Sequence, residues 1–154
     1  MNLDKLNQWL TLLANFGVIA GIVFLAIQVN QNNQMMKSQT RSEISRSISD
    51  MLLSQVSSPY IGVIAGSTPV NEMSEADRFR FQNFQLAEFR IWENIHYQYR
   101  KGLYEDSEFT KEKEIWRKNV NQKKNRSIYC QWRFAYSEAF VKEMDSLLTA
   151  PCEN

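Results

Sequence analysis

Histidine, cysteine, proline and glycine are all scarce in this 154-residue chain, which has one histidine, two cysteines, three prolines and five glycines. A metal site built from several histidines of one chain is therefore excluded. Cys130 and Cys152 show neither a CxxC pair nor metal-ligand spacing. One disulfide is possible, but two thiols suit a reducing compartment at least as well. Few prolines and glycines are typical of helices joined by short connections.

An excess of charge of either sign is also missing, since 18 basic and 17 acidic residues give a net charge of +1. Dedicated nucleic-acid binders usually carry a large basic excess, so nucleic acid is not expected as a partner. The sequence contains no P-loop, dinucleotide fingerprint or GxSxG motif, and no local triad signature. It therefore predicts neither a catalytic residue nor a cofactor.

One long apolar run does stand out, WLTLLANFGVIAGIVFLAIQV at residues 9–29, and no charge lies between Lys5 and Lys37. As a helix it would reach about 30 Å, the thickness of the hydrocarbon core of a bilayer. The run predicts a single membrane-spanning helix. A cleaved signal peptide and a buried core helix are the alternatives. The run is longer than the apolar part of a signal peptide, and no small-residue cleavage site follows it.

The predicted span has one distinctive side. At 100° per residue, one stripe of the helix contains Leu10, Ala14, Gly17, Gly21, Phe24 and Gln28. Gly17 and Gly21 form a GxxxG motif, which lets two helix backbones approach closely in lipid, and Gln28 could bond across the contact. We expect self-association through Ala14, Gly17, Gly21 and Gln28. Trp9 suits the aromatic belt at the membrane surface, and Asn15 lies off this stripe.

The basic residues that flank the span predict its orientation. Lys5 precedes it, next to Asp4, whereas Lys37, Arg41 and Arg46 follow it. Because cytoplasmic flanks carry the excess of Lys and Arg, the carboxy-terminal domain is predicted to be cytoplasmic, on the inner membrane.

The rest of the chain predicts an all-α protein. Residues 1–34 would form the tail, the transmembrane helix and an amide-rich exit, and residues 35–154 a helical bundle of about five helices. The first helix would continue as an amphipathic helix to about Ser57, packed on the domain; a helix lying on the membrane is the alternative. A short apolar turn or helix is expected from Tyr60 to Ala65, closed by Gly66, and a loop from Ser67 to Met73.

A central helix is predicted from Ser74, a capping residue, to Gly102, a left-handed cap. Two apolar stripes mark it as the core of the domain: the first holds Phe81, Phe84, Ile91, Trp92, Ile95 and Tyr99, and the second Phe79, Leu86, Phe89 and Tyr97.

Three polar residues interrupt these stripes: Glu88, Glu93 and His96. Glu-x-x-His is one unit of the ligand set in di-iron bundles, but those sites need a second such unit and further carboxylates. A buried glutamate more often pairs with an Arg or a Tyr from a neighbouring helix. Metal binding by Glu93 and His96, or acid–base chemistry with Glu88, is kept as an alternative, as is a thiolate pair of His96 with Cys130.

The carboxy-terminal third contains a basic run made of Arg117, Lys118, Lys123, Lys124 and Arg126, across a predicted helix junction. Such a run is typical of a solvated loop, and contact with anionic lipid or nucleic acid is the functional alternative.

Four stretches carry a resemblance to a known family: AIQVNQNN (26–33), MSEADRFRF (73–81), WENIHYQYRKGLYED (92–106) and YSEAF from Tyr136. With them the chain resembles, over nearly its whole length, a widespread bacterial family of small single-pass membrane proteins of unknown function. The resemblance implies a membrane anchor with an all-helical cytoplasmic domain, and it implies no activity. It also weakens a metal role for His96.

Together these features predict a membrane-anchored helical module that binds a protein partner or oligomerises, without catalytic activity. The lipid bilayer is its expected environment, and the identity of the protein partner is not encoded in any motif.

Overall fold

A computed structural model of the chain describes residues 3–57, 69 and 72–152. Within these ranges the protein is all-α, without a strand, as predicted. The helices are α1 (Leu3–Ser57), α2 (Glu75–Arg100), α3 (Asp106–Val120), α4 (Lys123–Trp132) and α5 (Glu138–Leu147), and a 3₁₀ turn (Arg133–Ala135) joins α4 to α5. The turn or helix predicted from Tyr60 to Ala65 lies outside the described residues, as does most of the loop predicted from Ser67 to Met73.

The chain divides into two compact units, Met1–Gln39 and Thr40–Asn154, with the division inside α1. In the first unit α1 is long and apolar enough to cross a membrane, judged by length and composition. None of its most apolar 18-residue window is buried in protein. A helix that is apolar all round and uncovered is typical of a lipid-facing segment.

The part of α1 within the second unit packs through few side chains. Thr40 and Ile44 are buried, and Ile48 packs against the same core. The predicted continuation of α1 to Ser57 is confirmed. Its packing on the described part of the domain runs through these three side chains, whereas the apolar Leu52 and Val56 further along the helix are 51% and 76% exposed.

Both predicted ends of α2 are confirmed by their hydrogen bonds. The Ser74 hydroxyl accepts from the Asp77 N–H at 3.2 Å, as an N-cap does. At the other end Gly102 has φ +72°, and the N–H groups of Gly102 and Leu103 donate to the carbonyls of Tyr99 and Gln98. This is a Schellman motif, which requires the left-handed conformation that glycine adopts most readily.

The core of the second unit is aromatic. Phe89, Trp116, Tyr129 and Phe140 are completely buried, and the rings of Trp92 and Trp116 stack with centroids 5.5 Å apart. Aromatic pairs of this kind contribute about 0.5–1.5 kcal/mol beyond their buried area. The core therefore depends on α2 packing against α3, α4 and α5.

Only one of the two apolar stripes predicted for α2 lies mainly in the core. Phe81, Trp92 and Ile95 of the first stripe are buried. From the second stripe Phe89 is buried, whereas Phe79 is 68% and Tyr97 is 50% exposed. The prediction for Phe79 and Tyr97 is wrong, because the helices packed on α2 do not extend around to those side chains.

Two links fix the carboxy-terminal tail. Cys130 on α4 and Cys152 are joined by a disulfide, with Cα atoms 5.4 Å apart. The Asn121 side chain donates to the Leu147 carbonyl at 2.9 Å and accepts from the Thr149 N–H at 2.7 Å. Of the two possibilities that the sequence left open for the cysteines, the structure has the disulfide.

Candidate functional site

Glu88 lies in the interior of the second unit and is 8% exposed. Its carboxylate accepts one hydrogen bond from the Gln85 amide and one from the Asn119 amide at the end of α3, both at 3.0 Å. Each of these donors is a neutral amide. The sequence left the burial of Glu88 open; in the structure Glu88 is buried, and its hydrogen-bond partners are the amides of Gln85 and Asn119 rather than an Arg or a Tyr.

Burial raises the pKa of Glu88 to about 7, against the opposing effect of the hydrogen bond from Gln85. A carboxyl group in a poorly solvated site loses the hydration that stabilises its charged form, and no formal positive charge replaces that hydration among its hydrogen-bond donors. Such a pKa suits a general acid or base. Chemistry at Glu88 would, however, require a substrate to reach a carboxylate whose two oxygens already face amide donors.

Further amides extend this cluster toward the surface. Gln122 donates to the Asn119 side chain at 3.2 Å, and the buried Asn125 donates to the Asn119 carbonyl at 3.1 Å. We define the amide cluster as Gln85, Glu88, Asn119, Gln122 and Asn125. The side-chain oxygens of Gln85 and Asn125 are buried without a hydrogen-bond partner in the described structure.

Glu93 is the least buried of the three polar residues predicted on α2, with 18% of its side chain exposed. It accepts from the Ser137 N–H at 2.7 Å and pairs with Arg90 at 2.6 Å. Burial opposes ionisation, but the hydrogen bonds from Ser137 and Arg90 outweigh it and lower the pKa of Glu93. Arg90 also donates to the Ala135 carbonyl at 2.9 Å. Glu93 therefore orders the start of α5 as an ionised group.

His96 is 5% exposed and packs between the rings of Phe109 and Phe140, with centroids 5.9 and 6.0 Å away. Burial lowers the pKa of His96, opposed by the charge of Glu143. The neutral imidazole is consequently the form that the folded domain favours. His96 is thus one of the buried polar residues of the core.

The structure does not unite Glu88, Glu93 and His96 into one site. Glu88 faces the amide cluster, Glu93 faces the start of α5, and His96 lies among aromatic rings. Among the residues described, no group of three His, Cys, Asp or Glu side chains could hold a metal ion. Cys130 is joined to Cys152, so it forms no thiolate pair with His96.

The basic run does not form one surface either. Arg117 pairs with Glu114 on the same helix at 2.9 Å, and Lys118 is exposed on α3. Arg126 is half-buried on α4. Lys123 and Lys124 line a cleft that opens between the start of α2 and α4. The helix junction therefore separates residues that are close in sequence.

This cleft has a volume of about 920 Å³. Phe81 and Ile128 form its apolar floor, and Arg78, Lys123 and Lys124 contribute its charges. The Lys124 ammonium lies 5.0 Å from the centre of the Phe81 ring. Gln122 belongs both to the cleft and to the amide cluster.

The side chains predicted in the span all remain uncovered within the first unit. Trp9, Leu10 and Phe24 are 65%, 55% and 60% exposed, and Ala14, Asn15 and Gln28 are also exposed. No side chain lies within 4 Å of the position that a Cβ would occupy at Gly17 or Gly21. This side of α1 is open to a second helix.

Comparisons with protein-family models, with curated proteins and with solved structures find no match for this chain. The resemblance to a bacterial family of single-pass proteins therefore stays a prediction.

Sequence reasoning missed the amides around Glu88 and the cleft. Asn119, Gln122 and Asn125 do recur at three-residue spacing in the sequence. They belong to two helices and the junction between them, so the same-side rule of a single helix does not apply and the spacing does not predict the cluster. The link from Asn119 to Glu88 spans 31 residues and has no local signature.

Proposed function

We propose that this protein is a membrane-anchored helical module that self-associates through its transmembrane helix and presents its helical domain to a protein partner. The observation that carries the proposal is the uncovered apolar part of α1, none of whose most apolar window is buried. Exposing so much apolar surface to water would be strongly unfavourable, and a bilayer removes that cost.

Self-association is supported by the open side of α1. Gly17 and Gly21 leave space along one helix face, and Ala14 and Gln28 continue it. Helices in lipid associate through close packing of such small residues, and an amide such as Gln28 adds a hydrogen bond that lipid cannot offer.

The proposed location is the inner membrane with the helical domain in the cytoplasm, supported by Lys37, Arg41 and Arg46 after the apolar run. The Cys130–Cys152 disulfide favours the opposite side, because disulfides persist in oxidising compartments. If the domain is cytoplasmic, the reducing environment would keep Cys130 and Cys152 mainly as two neighbouring free thiols. The charge bias is the basis of our choice.

Self-association is tested with full-length protein in lipid nanodiscs or mild detergent, by cross-linking and by energy transfer between labelled chains. Gly17→Leu/Gly21→Leu should shift dimers to monomers, because the larger side chains hold the helices apart. Val18→Leu/Ile22→Leu, which adds no bulk to the small-residue stripe, is the matched control. Monomers for the unaltered chain, or equal dimerisation of both variants, would contradict self-association.

Orientation is tested separately, with carboxy-terminal reporters that are active only inside or only outside the cytoplasm. Activity of the cytoplasmic reporter is expected. Activity of the external reporter would contradict the proposed orientation. The helical domain would then lie in an oxidising compartment, where Cys130 and Cys152 would remain joined by the disulfide.

An acid–base enzyme centred on Glu88 is the alternative, supported by its pKa near 7. It requires that Glu88→Gln abolish an activity while leaving the fold intact. A metal bound at full occupancy in the purified protein, and lost in His96→Ala, would support a metal-dependent form of this alternative.

A further inference from the structure

Asn15 places an amide group within the apolar run of α1, and association through Gly17 and Gly21 leaves that group unused. At about 100° per residue, Asn15 lies about 160° from Gly17 and about 120° from Gly21 around the helix. A second copy packed on the small-residue stripe therefore does not reach it. With Trp9 at the membrane surface, Asn15 lies about 9 Å inside the hydrocarbon core.

The Asn15 side chain is uncovered and has no hydrogen-bond partner among the residues that the structure describes. Thr11, one turn earlier, differs, because its hydroxyl donates to the Asn7 carbonyl of the same helix at 2.9 Å. An amide that faces lipid loses the hydrogen bonds that water provides, and hydrocarbon offers none in exchange. A polar group from another chain would restore them.

The residues on the Asn15 side of α1 recur with a period of seven. They are Gln8, Thr11, Asn15, Val18, Ile22, Leu25 and Val29, separated alternately by three and four positions. All of these side chains are exposed within the first unit. Such spacing is typical of a helix that packs against a parallel neighbour in a left-handed coiled coil, which is also the common crossing in membrane bundles. The pattern thus favours a second helix on this side.

The depth of Asn15 indicates which helix can occupy this side. Copies inserted in the same orientation place Asn15 at equal depth, so two of them can face each other without any shift along the membrane normal. An asparagine amide both donates and accepts, so two Asn15 side chains can pair with each other. Asparagine at an inward position fixes the register of parallel coiled coils in this way. A helix of a different protein would match only if it carried a polar group at the same depth.

We propose that the Asn15 side of α1 is a second association surface, which binds another copy of this chain in parallel through paired Asn15 amides. The proposal rests on the membrane-spanning helix of the proposed function and is independent of association through Gly17 and Gly21. One amide pair in lipid contributes little, so this contact forms at higher protein density than the small-residue contact.

Chains that use both surfaces form complexes larger than dimers. Each contact joins the same patch of two copies and therefore has a twofold axis, which lies along the membrane normal for parallel helices. Two separate parallel twofold axes generate a translation. The complexes should consequently grow as an open row rather than close into a ring.

The test counts copies in complexes of the full-length protein, reconstituted in vesicles of neutral lipid at increasing protein-to-lipid ratios. The chain carries one fluorophore at its amino terminus, the membranes are divided into polymer-bounded discs, and stepwise photobleaching gives the number of copies in each disc. Complexes of more than two copies are expected at the higher ratios. Asn15→Leu should reduce their share about threefold to tenfold, as expected for the loss of a hydrogen bond in lipid, and should leave dimers.

Matched variants separate the amide from other effects. Asn15→Gln retains an amide and should retain most of the larger complexes. Thr11→Val removes a polar group from the same side, but the hydrogen bond of Thr11 lies within its own helix, so the larger complexes should change less than about twofold. Asn15→Leu/Gly17→Leu/Gly21→Leu should be monomeric and measures how often copies share a disc by chance.

Cross-linking identifies the side of α1 that makes the contact. Val18 and Ala20 lie about 80° on either side of the centre of the small-residue stripe, and of these two only Val18 shares the Asn15 side. In a Cys130→Ser/Cys152→Ser chain at high protein density, oxidation should join copies that carry Val18→Cys and should not join copies that carry Ala20→Cys.

Three results would overturn the proposal: equal complex sizes for Asn15→Leu and the unaltered chain, an equal loss for Thr11→Val, or equal cross-linking from the two cysteine positions. Association that needs Asn15 only when a different membrane protein is present would also overturn it, in favour of that protein. Failure of the small-residue contact is a separate result, because Gly17→Leu/Gly21→Leu would then leave the association unchanged while Asn15→Leu reduced it.

Discussion

The Asn119 side chain at the end of α3 donates a hydrogen bond of 3.0 Å to the Glu88 carboxylate on α2. This bond joins two helices in the interior through a group whose charge depends on pH. The other carboxylate oxygen accepts from Gln85, whose own side-chain oxygen has no partner among the described residues. Turning the Gln85 amide by 180° would present that oxygen to a proton on Glu88. The cluster can therefore accommodate both protonation states.

The folded domain should lose stability as pH rises through the titration of Glu88. Its folded pKa, about 7, lies above the ordinary 4.5, so the folded state holds the proton more tightly than the unfolded state. The stabilisation is complete below about pH 4.5 and is lost by about pH 7, with a maximum change of about 3 kcal/mol. Denaturant unfolding of the full-length protein from pH 4 to pH 9, followed by tryptophan fluorescence, measures it.

Glu88→Gln should remove most of this pH dependence, because a neutral amide replaces the titrating group at nearly the same volume. Glu114→Gln is the control, since the Glu114 side chain is 54% exposed. If the stability of Glu88→Gln changed with pH as much as that of the unaltered protein, burial of an ionisable Glu88 would not be the cause.

His96 should have the opposite effect on stability, because its titration should destabilise the folded domain at acidic pH. Burial lowers its pKa below the ordinary 6.5, so the unfolded state binds the proton more tightly, and stability falls as pH drops below about 6.5. His96→Phe should reduce this loss, because the ring packs against Phe109 and Phe140 without a charge. Unfolding midpoints of the variant between pH 4 and pH 7 provide the measurement; an unchanged acid dependence would contradict it.

The Cys130–Cys152 disulfide should stabilise the second unit by about 3 kcal/mol, as expected for a loop with a sequence separation of 22 residues. Unfolding by urea with and without a reducing agent measures this contribution. Cys130→Ser/Cys152→Ser is the control and should have the same stability in both conditions. No effect of reductant on the unaltered protein would show that the bond is absent from the purified material.

Gly102→Ala should destabilise the domain by about 1–2 kcal/mol, the cost of the left-handed conformation for a residue with a Cβ. No atom lies near enough to a Cβ at this position to clash, so the φ of +72° is the only source of the cost. Gly102→Asn should destabilise the domain less than Gly102→Ala does, because asparagine tolerates the left-handed conformation better than alanine. Thermal unfolding of both variants compares them, and equal losses would show that another factor dominates.

Local rules predicted the helices and the ends of α2, because caps such as Ser74 and Gly102 depend only on nearby backbone groups. The same rules wrongly predicted Phe79 and Tyr97 as core residues. How much of the α2 surface is buried depends on how many helices pack against it, which the local sequence of α2 does not contain. Neither the cleft nor the Glu88–Asn119 bond could be predicted, because both depend on how α2 meets the junction of α3 and α4. The same junction divides the basic run, which looked continuous in the sequence.

The disulfide described above also turns the end of the chain into a covalent ring. Residues 130–152 enclose the 3₁₀ turn and α5 between two joined cysteines. A protease that cuts once inside this ring produces two pieces that remain attached to each other. The cut would pass unnoticed on a non-reducing gel and would release a short fragment after reduction, so damage to α5 can be hidden in an apparently intact chain.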